Sequence, residues 1–193
     1  MKFGRYTTPL AFSLVVALAL AAGPSSVFAQ HDSDHGSDQK AKLSALVKII
    51  RQNTERFQDV RQAENEGYKL LFGCVSGPDY GAMGLHYVNM EILGKGEIDP
   101  TRPTIIIYEP VGNGRLRMTG ADFLVFADQW NAKHGGGAPE LMGQYFHYFE
   151  APNRFGLPPF YTLHVWAWKD NPTGTFSNWH ANVTCDAYAG QTP

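Results

Sequence analysis

The chain has 193 residues, of which 44% are hydrophobic and 18% are charged, and its formal net charge is -2. This length suits one ordinary domain, and the composition is that of a globular protein rather than of a chain that is disordered or coiled coil throughout. The nearly balanced charge argues against a nucleic-acid-binding protein.

The first 29 residues have the layout of a secretory signal peptide. Lys2 and Arg5 precede an apolar run at 10–22, and Val27 and Ala29 occupy the usual positions before a cleavage point. The run is shorter than the roughly 20 residues that a membrane span needs, although a membrane anchor is the alternative. We therefore predict that residues 1–29 are removed and that the mature protein is periplasmic or secreted. No later run is long and apolar enough to span a bilayer, so we expect no membrane span in the mature protein.

The chain contains two cysteines, Cys74 and Cys185. Export would place them in an oxidising compartment, where such a pair normally forms a disulfide. A redox pair or a pair of metal ligands is the alternative, but no CxxC spacing supports it.

Past the predicted signal peptide, the chain divides into two parts. Residues 30–39 hold no large apolar side chain, which predicts a flexible tail rich in His and Asp. Residues 40–193 are predicted to form a single globular α+β domain. Its first element is one long amphipathic helix over about 40–65, ended by Gly67. The apolar stripe of this helix comprises Leu43, Leu46, Val47, Ile50, Phe57 and Val60.

After Gly67 the helical spacing gives way to short runs of aromatic and β-branched residues between Gly and Pro, which is typical of strands. The connections are too short for helical crossovers, so we predict a mainly antiparallel curved sheet or partial barrel with the helix packed on it. A hairpin turn is expected at 111–114, and a short helical turn at 128–134. The predicted strands are 86–92, 104–108, 115–118, 121–126, 143–149 and 161–168.

Four polar residues fall where the strand pattern expects apolar ones: His86, Glu109, His147 and His164. Buried polar groups need partners, and imidazoles that converge with a carboxylate can bind copper, zinc or iron. His86, Glu109 and His164 would form a two-histidine, one-carboxylate set, with His147 as a fourth ligand. The alternative is a hydrogen-bonded core cluster or a pocket without metal, because no HExxH or other tight ligand spacing is present.

The C-terminal half is dense in aromatic residues. Most of these should pack in the core, but a pocket lined by some of them would suit a small apolar or aromatic ligand. We expect the bend at 151–159 to form one rim of that pocket. The predicted lining residues are Tyr87, Tyr108, Tyr161, Trp166 and Trp168.

The predicted tail carries a second group of candidate ligands. His31, Asp32, Asp34 and His35 could capture copper or zinc loosely, although a solvated polar tail is the simpler interpretation.

Several motifs together resemble a recurrent family of exported bacterial proteins of uncharacterised activity. The motifs are GCVSGPDYGAMGLHYVN, DPTRPTIIIYEP, GRLRM and APNRFGLPPFYTLHVWAWKDNPTGTFSNW, followed by a late Cys. The likeness runs from about residue 40 to Cys185, and it implies export but no activity, substrate or cofactor.

Three functions remain open at this level. The first is an exported metal-binding protein, with or without enzymatic activity. The second is a non-enzymatic binder of a small apolar ligand, and the third is a structural or interaction protein. Its oligomeric state is not determined by these patterns, and a coiled-coil pairing of the long helix is the alternative to packing on the sheet.

Overall fold

The change from helical to strand spacing at Gly67 divides the protein into a helical N-terminal part and a sheet. The computed structural model describes residue 4 and residues 27–77 and 79–190. The helices are α1 (Val27–Thr54), α2 (Val60–Asn65), α3 (Met90–Lys95) and α4 (Ala127–His134), with a 3-10 turn at Glu55–Gln58. The strands are β1 (Tyr68–Gly77), β2 (Gly81–Asn89), β3 (Ile105–Pro110), β4 (Leu116–Phe126), β5 (Glu140–Leu141), β6 (Gln144–Tyr145), β7 (His147–Phe149) and β8 (Phe160–Val165).

Six of the strands form one curled antiparallel sheet in the order β1-β2-β3-β4-β8-β7, and β5 pairs with β6 in a separate hairpin. All the pairings are antiparallel. The predicted α+β architecture of a helix on a curved antiparallel sheet is confirmed.

The N-terminal helical region differs from the single helix predicted over 40–65. The helix α1 ends at Thr54, and α2 starts after Asp59, whose side chain accepts a hydrogen bond from the Arg61 backbone N–H. This N-cap starts a new helix because it satisfies one of the free N–H groups of the first turn. Gly67 follows α2 with a φ of 89°, as expected for a residue that ends a helix.

The predicted boundaries after residues 29 and 39 stay predictions. α1 includes residues 30–39, so the segment that we predicted as a flexible tail is helical in the structure. Its mobility stays a prediction. The predicted signal peptide at 1–29 lies almost wholly outside the described residues.

Several strand boundaries needed correction. The run predicted at 86–92 ends at Asn89, whose side chain caps α3 by accepting from the Ile92 N–H. The two runs at 115–118 and 121–126 are one strand, β4, while the run at 143–149 is split between β6 and β7. Strand β1 was not predicted, and its pairing with β2 is interrupted by a bulge between Leu71 and Cys74. The hairpin at 111–114 and the helical turn near 128–134 are confirmed.

Strand alternation gives the sheet two distinct buried faces. One face packs against the helical region, where Leu46, Ile50 and Phe57 are at most 2% exposed. They join a core with sheet residues such as Tyr108 and Leu163. The helix stripe therefore packs on the sheet, as predicted.

The opposite face carries a smaller apolar cluster, whose buried members are Val88, Leu93, Ile105, Ile107, Leu124 and Phe160. Leu124 and Phe160 share this face with Asp122, Thr162 and His164, since they alternate along β4 and β8. This second face is therefore the one on which polar side chains replace core residues.

The predicted disulfide between Cys74 and Cys185 is present, with a Cα–Cα distance of 5.8 Å. It ties β1 to the C-terminal segment, whose described residues, 166–190, form no long helix or strand. The same segment pairs with the start of β2 through two backbone hydrogen bonds between Ala82 and His180. The crosslink and this bridge hold residues 177–185 against the sheet.

Loss of helix packing should measurably destabilise the domain. We expect Ile50→Ala to lower the free energy of unfolding by about 2–5 kcal/mol, because it leaves a cavity where the helix meets the sheet. Lys48→Ala is the matched control, since Lys48 lies on the same helix with an exposed side chain. This substitution should change the free energy of unfolding by less than about 0.5 kcal/mol. Urea denaturation followed by circular dichroism would measure both, and equal effects would contradict the packing described here.

Candidate metal centre

Three buried side chains from three strands converge on the face opposite the helix. His86 lies on β2, Asp122 on β4 and His164 on β8. Each offers one ligand atom, and these atoms all lie within 4.8 Å of one another. The three residues are at most 6% exposed. This group could hold a metal ion.

The separations are close to those of a coordinated set. His164 Nδ1 and Asp122 Oδ2 are 3.4 Å apart. Two ligand atoms on one tetrahedral zinc ion, each about 2.1 Å from it, would lie about 3.4 Å apart. The other pairs of ligand atoms are at most 4.8 Å apart. They would have to approach each other by at most about 1.4 Å to reach the separation expected at a zinc ion.

The β4–β8 register determines which side chains face each other. Asp122 and His164 are directly paired across the two strands. Thr162, two residues before His164 and on the same face, donates a hydrogen bond from Oγ1 to Asp122 Oδ1 at 2.6 Å. That bond orients the carboxylate and leaves Oδ2 directed at His164.

A bulge in β2 orients the third side chain. The β1–β2 register shifts next to Gly84, and Gly84 has a φ of 96°. His86 Nδ1 donates to the Gly84 carbonyl at 3.0 Å, which leaves Nε2 as the ligand atom. A Cβ on Gly84 would lie 2.5 Å from the Tyr108 carbonyl oxygen, so the bulge requires glycine.

Burial and mutual charge set the protonation of the group. Burial, aided by the neighbouring His164, lowers the pKa of His86 to about 4, so its ring is neutral near pH 7. Burial alone would raise the pKa of Asp122, but its electrostatic interaction with His164 and the hydrogen bonds from His164 and Thr162 outweigh burial and lower that pKa. At neutral pH the site therefore offers a carboxylate and a neutral imidazole, which are the forms that bind metals.

The group lies at the wall of a narrow apolar cleft. The volume of the cleft is about 30 Å³. The polar lining residues are His86, Asp122, Thr162, His164 and Asn178, and the apolar ones are Phe72, Met83, Ile105, Leu124, Phe149, Phe155, Leu157 and Phe160. Phe155 and Leu157 come from the bend at 151–159, which we expected to form a rim.

The structure does not bring Glu109 into this group. Glu109 is buried at the end of β3, where Lys169 donates a hydrogen bond to its Oε2 and Arg117 lies 3.2 Å from its Oε1. Two cationic side chains, rather than a metal ion, therefore compensate the desolvation of the buried Glu109 carboxylate. The carboxylate is therefore buried and partnered, as the sequence suggested, but its partners in the structure are Lys169 and Arg117.

His147 is also outside the group. It lies on β7, at the edge of the sheet, and is exposed. Its Nδ1 is 3.5 Å from the Asn178 amide nitrogen. A fourth-ligand role for His147 is not supported by this placement.

None of the five aromatic residues predicted to line a pocket contributes to the cleft. Tyr87, Tyr108, Tyr161 and Trp168 belong to the core on the helix side. Trp166 is buried beside His164, with ring centroids 5.1 Å apart, and donates to the Ser177 carbonyl. The pocket that we predicted from these five residues is therefore not this cleft, and Trp168 lines a separate surface pocket with Arg117 and Met118.

Asp122 is the site residue that sequence reasoning missed. It interrupts the apolar run Ala121–Phe126, which is the same signal that drew attention to Glu109. Only the β4–β8 register distinguishes the two, because it places Asp122 opposite His164. The side chains of the other candidate ligands, His31, Asp32, Asp34 and His35, lie outside the described residues.

Comparisons of the chain with protein-family models, with curated proteins and with solved structures found no match. Within the described residues, no helix has the length and apolar character that crossing a membrane requires.

The low pKa of His86 predicts acid sensitivity of the metal-free protein. The unfolded chain takes up a proton at this histidine near pH 6.5, whereas the folded chain does so only near pH 4. Stability is therefore lost as the pH falls from 6.5 to 4, by up to about 3 kcal/mol from this group. His86→Gln should remove this part of the pH dependence of stability. Urea denaturation at several pH values, in the presence of a chelator, would measure it. The exposed His147→Gln is the matched control, and identical pH profiles for all three proteins would contradict the expectation.

Proposed function

We propose that this protein is an exported metalloprotein in which His86, Asp122 and His164 bind one transition-metal ion, with open coordination positions facing the cleft. The observation that carries the proposal is the convergence of three buried ligand atoms from three strands within 4.8 Å. Two imidazoles and a carboxylate are costly to bury. No lysine or arginine is found beside Asp122 among the described residues, so a bound ion would place a positive charge of fixed sign next to the carboxylate.

The donor set favours a particular class of metal. Two nitrogens and one oxygen suit copper, zinc or iron, whereas magnesium and calcium prefer oxygen ligands. Three protein ligands leave room for water or substrate, as in catalytic zinc centres and in iron centres with two histidines and one carboxylate. Such an ion would polarise a substrate or activate water, which makes a metalloenzyme the favoured form of the proposal.

Neighbouring residues would support the ligands from behind. The Gly84 carbonyl holds the His86 ring, and the Thr162 hydroxyl holds the Asp122 carboxylate. Partners of this kind orient metal ligands and raise their affinity. Apolar side chains around the cleft would keep bulk water from the ion.

A second candidate function is non-enzymatic binding of a small apolar ligand without metal. It is favoured by the apolar lining of the cleft, which includes four phenylalanine rings. A purely structural role leaves the cleft and the unpaired, buried His164 Nε2 without an explanation.

Metal analysis of the purified protein tests the proposal. We expect about one ion of copper, zinc or iron per chain after incubation with each metal, because the site has a single set of ligands. His86→Ala, His164→Ala and Asp122→Asn should each lose the ion. His147→Ala and deletion of residues 30–39 should keep it, since the group found among the described residues comprises only His86, Asp122 and His164. Circular dichroism would confirm that each variant is folded.

The contrary result is equally clear. Wild-type protein that stays metal-free with all three metals would overturn the metal proposal and favour the apolar-ligand binder. Metal retained by all three site variants but lost with residues 30–39 would place the ion at the N-terminal histidines instead.

Export is supported by two independent features. The first 29 residues have the layout of a signal peptide, and Cys74 and Cys185 form a disulfide, which persists in oxidising compartments.

Mass spectrometry of the protein expressed with its own N-terminus tests export. Periplasmic material should begin at Gln30 and should take up no alkylating label without reductant, because both thiols are in the disulfide. After reduction it should take up two labels. Recovery only in the cytoplasm, with residues 1–29 intact and two free thiols, would contradict the proposal.

A further inference from the structure

The proposed metal centre is closed to solvent in the folded protein. His86, Asp122 and His164 are at most 6% exposed, and the cleft beside them has a volume of about 30 Å³. A space of that size holds about two water molecules. An ion with its hydration shell is larger than this space, so part of the cleft wall must move before an ion can reach or leave its ligands.

One wall of the cleft belongs to a C-terminal strap, which we define as residues 177–185. Asn178 of the strap lines the cleft. The His180 ring meets the buried Trp166 ring edge to face, with centroids 4.7 Å apart. Trp166 in turn lies beside His164, with ring centroids 5.1 Å apart. The strap therefore packs over the ring that lies next to one of the proposed ligands.

The strap is fastened to the sheet without a regular hydrogen-bond ladder. Within residues 177–185 the only β-bridge joins His180 to Ala82. Val183 is fully buried and packs with Ala82 and Trp166. The end of the strap is attached covalently, because Cys185 is in the disulfide. A segment with so little regular pairing can open as a local unit, without global unfolding, once its covalent attachment is lost.

The other irregular wall of the cleft is braced internally. The bend at 151–159 contributes Phe155 and Leu157 to the lining. The Asn153 side chain accepts hydrogen bonds from the backbone N–H groups of these two residues, and it donates to the Glu150 and Leu157 carbonyls. Its four hydrogen bonds hold the bend in one shape, so the strap is the wall that can leave.

We propose that the strap is a disulfide-held cover of the metal centre, so that an ion enters while Cys74 and Cys185 are thiols and is retained after they are oxidised. Closure joins the two thiols in one S–S bond by thiol–disulfide exchange, and it passes two electrons and two protons to an external disulfide of the oxidising compartment. The retained ion rests on the proposed function, whereas the covering of the two histidines does not.

Acylation of histidines by diethyl pyrocarbonate tests the cover without any metal. In the double variant Cys74→Ala/Cys185→Ala, His86 and His164 should react at least about tenfold faster than in oxidised wild-type protein, because release of the strap exposes them. His134 is exposed on α4, outside the strap and the cleft lining, so it should react equally in both proteins. Peptide mass spectrometry would measure each site, and circular dichroism would confirm folding.

A second variant keeps the disulfide and loosens the strap, which covers the case in which the double variant does not fold. Val183→Ala removes packing between the strap and Trp166, so it should also speed the acylation of His164. Val125→Ala is the matched control, because it truncates the same side chain in the helix-side core and leaves the strap intact. An equal acylation rate of His164 in these two variants would contradict the cover.

Zinc release into a chelator separates this proposal from the metal proposal. Zinc-loaded protein without the disulfide should lose the ion at least about tenfold faster than the oxidised wild type, and equal release rates would overturn the retention of the ion. Faster acylation in protein that takes up no zinc would support the cover and overturn the metal centre. Equal acylation rates in wild type and in all variants would overturn the cover, even if zinc binds at the three ligands.

Discussion

The antiparallel register between β4 and β8 is the constraint on which the site depends. It pairs Asp122 with His164 and places Thr162 within hydrogen-bond distance of the carboxylate. Because side chains alternate with a period of two, a slip of one residue would turn Asp122 toward the helix. The packing of Phe123 and Leu163 against the helical region makes such a slip costly, so the apolar core maintains the polar site on the opposite face.

Irregular backbone brings the remaining parts of the site together. The bulge at Gly84 presents a carbonyl to His86, and the bulge at Phe72 directs a ring to the cleft. The C-terminal segment adds Asn178 and is held in place by the disulfide at Cys185. A regular ladder would provide none of these groups, because each requires the chain to leave ideal strand geometry.

Two buried carboxylates show how the protein separates structure from chemistry. Glu109 is neutralised by Lys169 and Arg117 at one end of the sheet. Asp122 has a threonine hydroxyl and a histidine instead, with no cationic side chain of fixed charge among its described partners. In the first arrangement two cations of fixed charge compensate the carboxylate, whereas the second, beside the cleft, has capacity for an ion.

Local pattern alone was sufficient to predict the α+β class, the helix stripe at Leu46 and Ile50, the β3–β4 hairpin and the pairing of Cys74 with Cys185. These follow from periodicity, turn residues and cysteine count, which act over short stretches of chain or leave one possible partner. The same reasoning identified His86 and His164 as buried polar residues, but it chose Glu109 over Asp122 and placed aromatic residues of the helix-side core in the pocket. Those choices depend on register and on which face of a curled sheet each strand presents, and both are decided by contacts between residues far apart in the chain. Only the tertiary structure could therefore show that Asp122 joins the two histidines and that Phe72 and Asn178 complete the cleft.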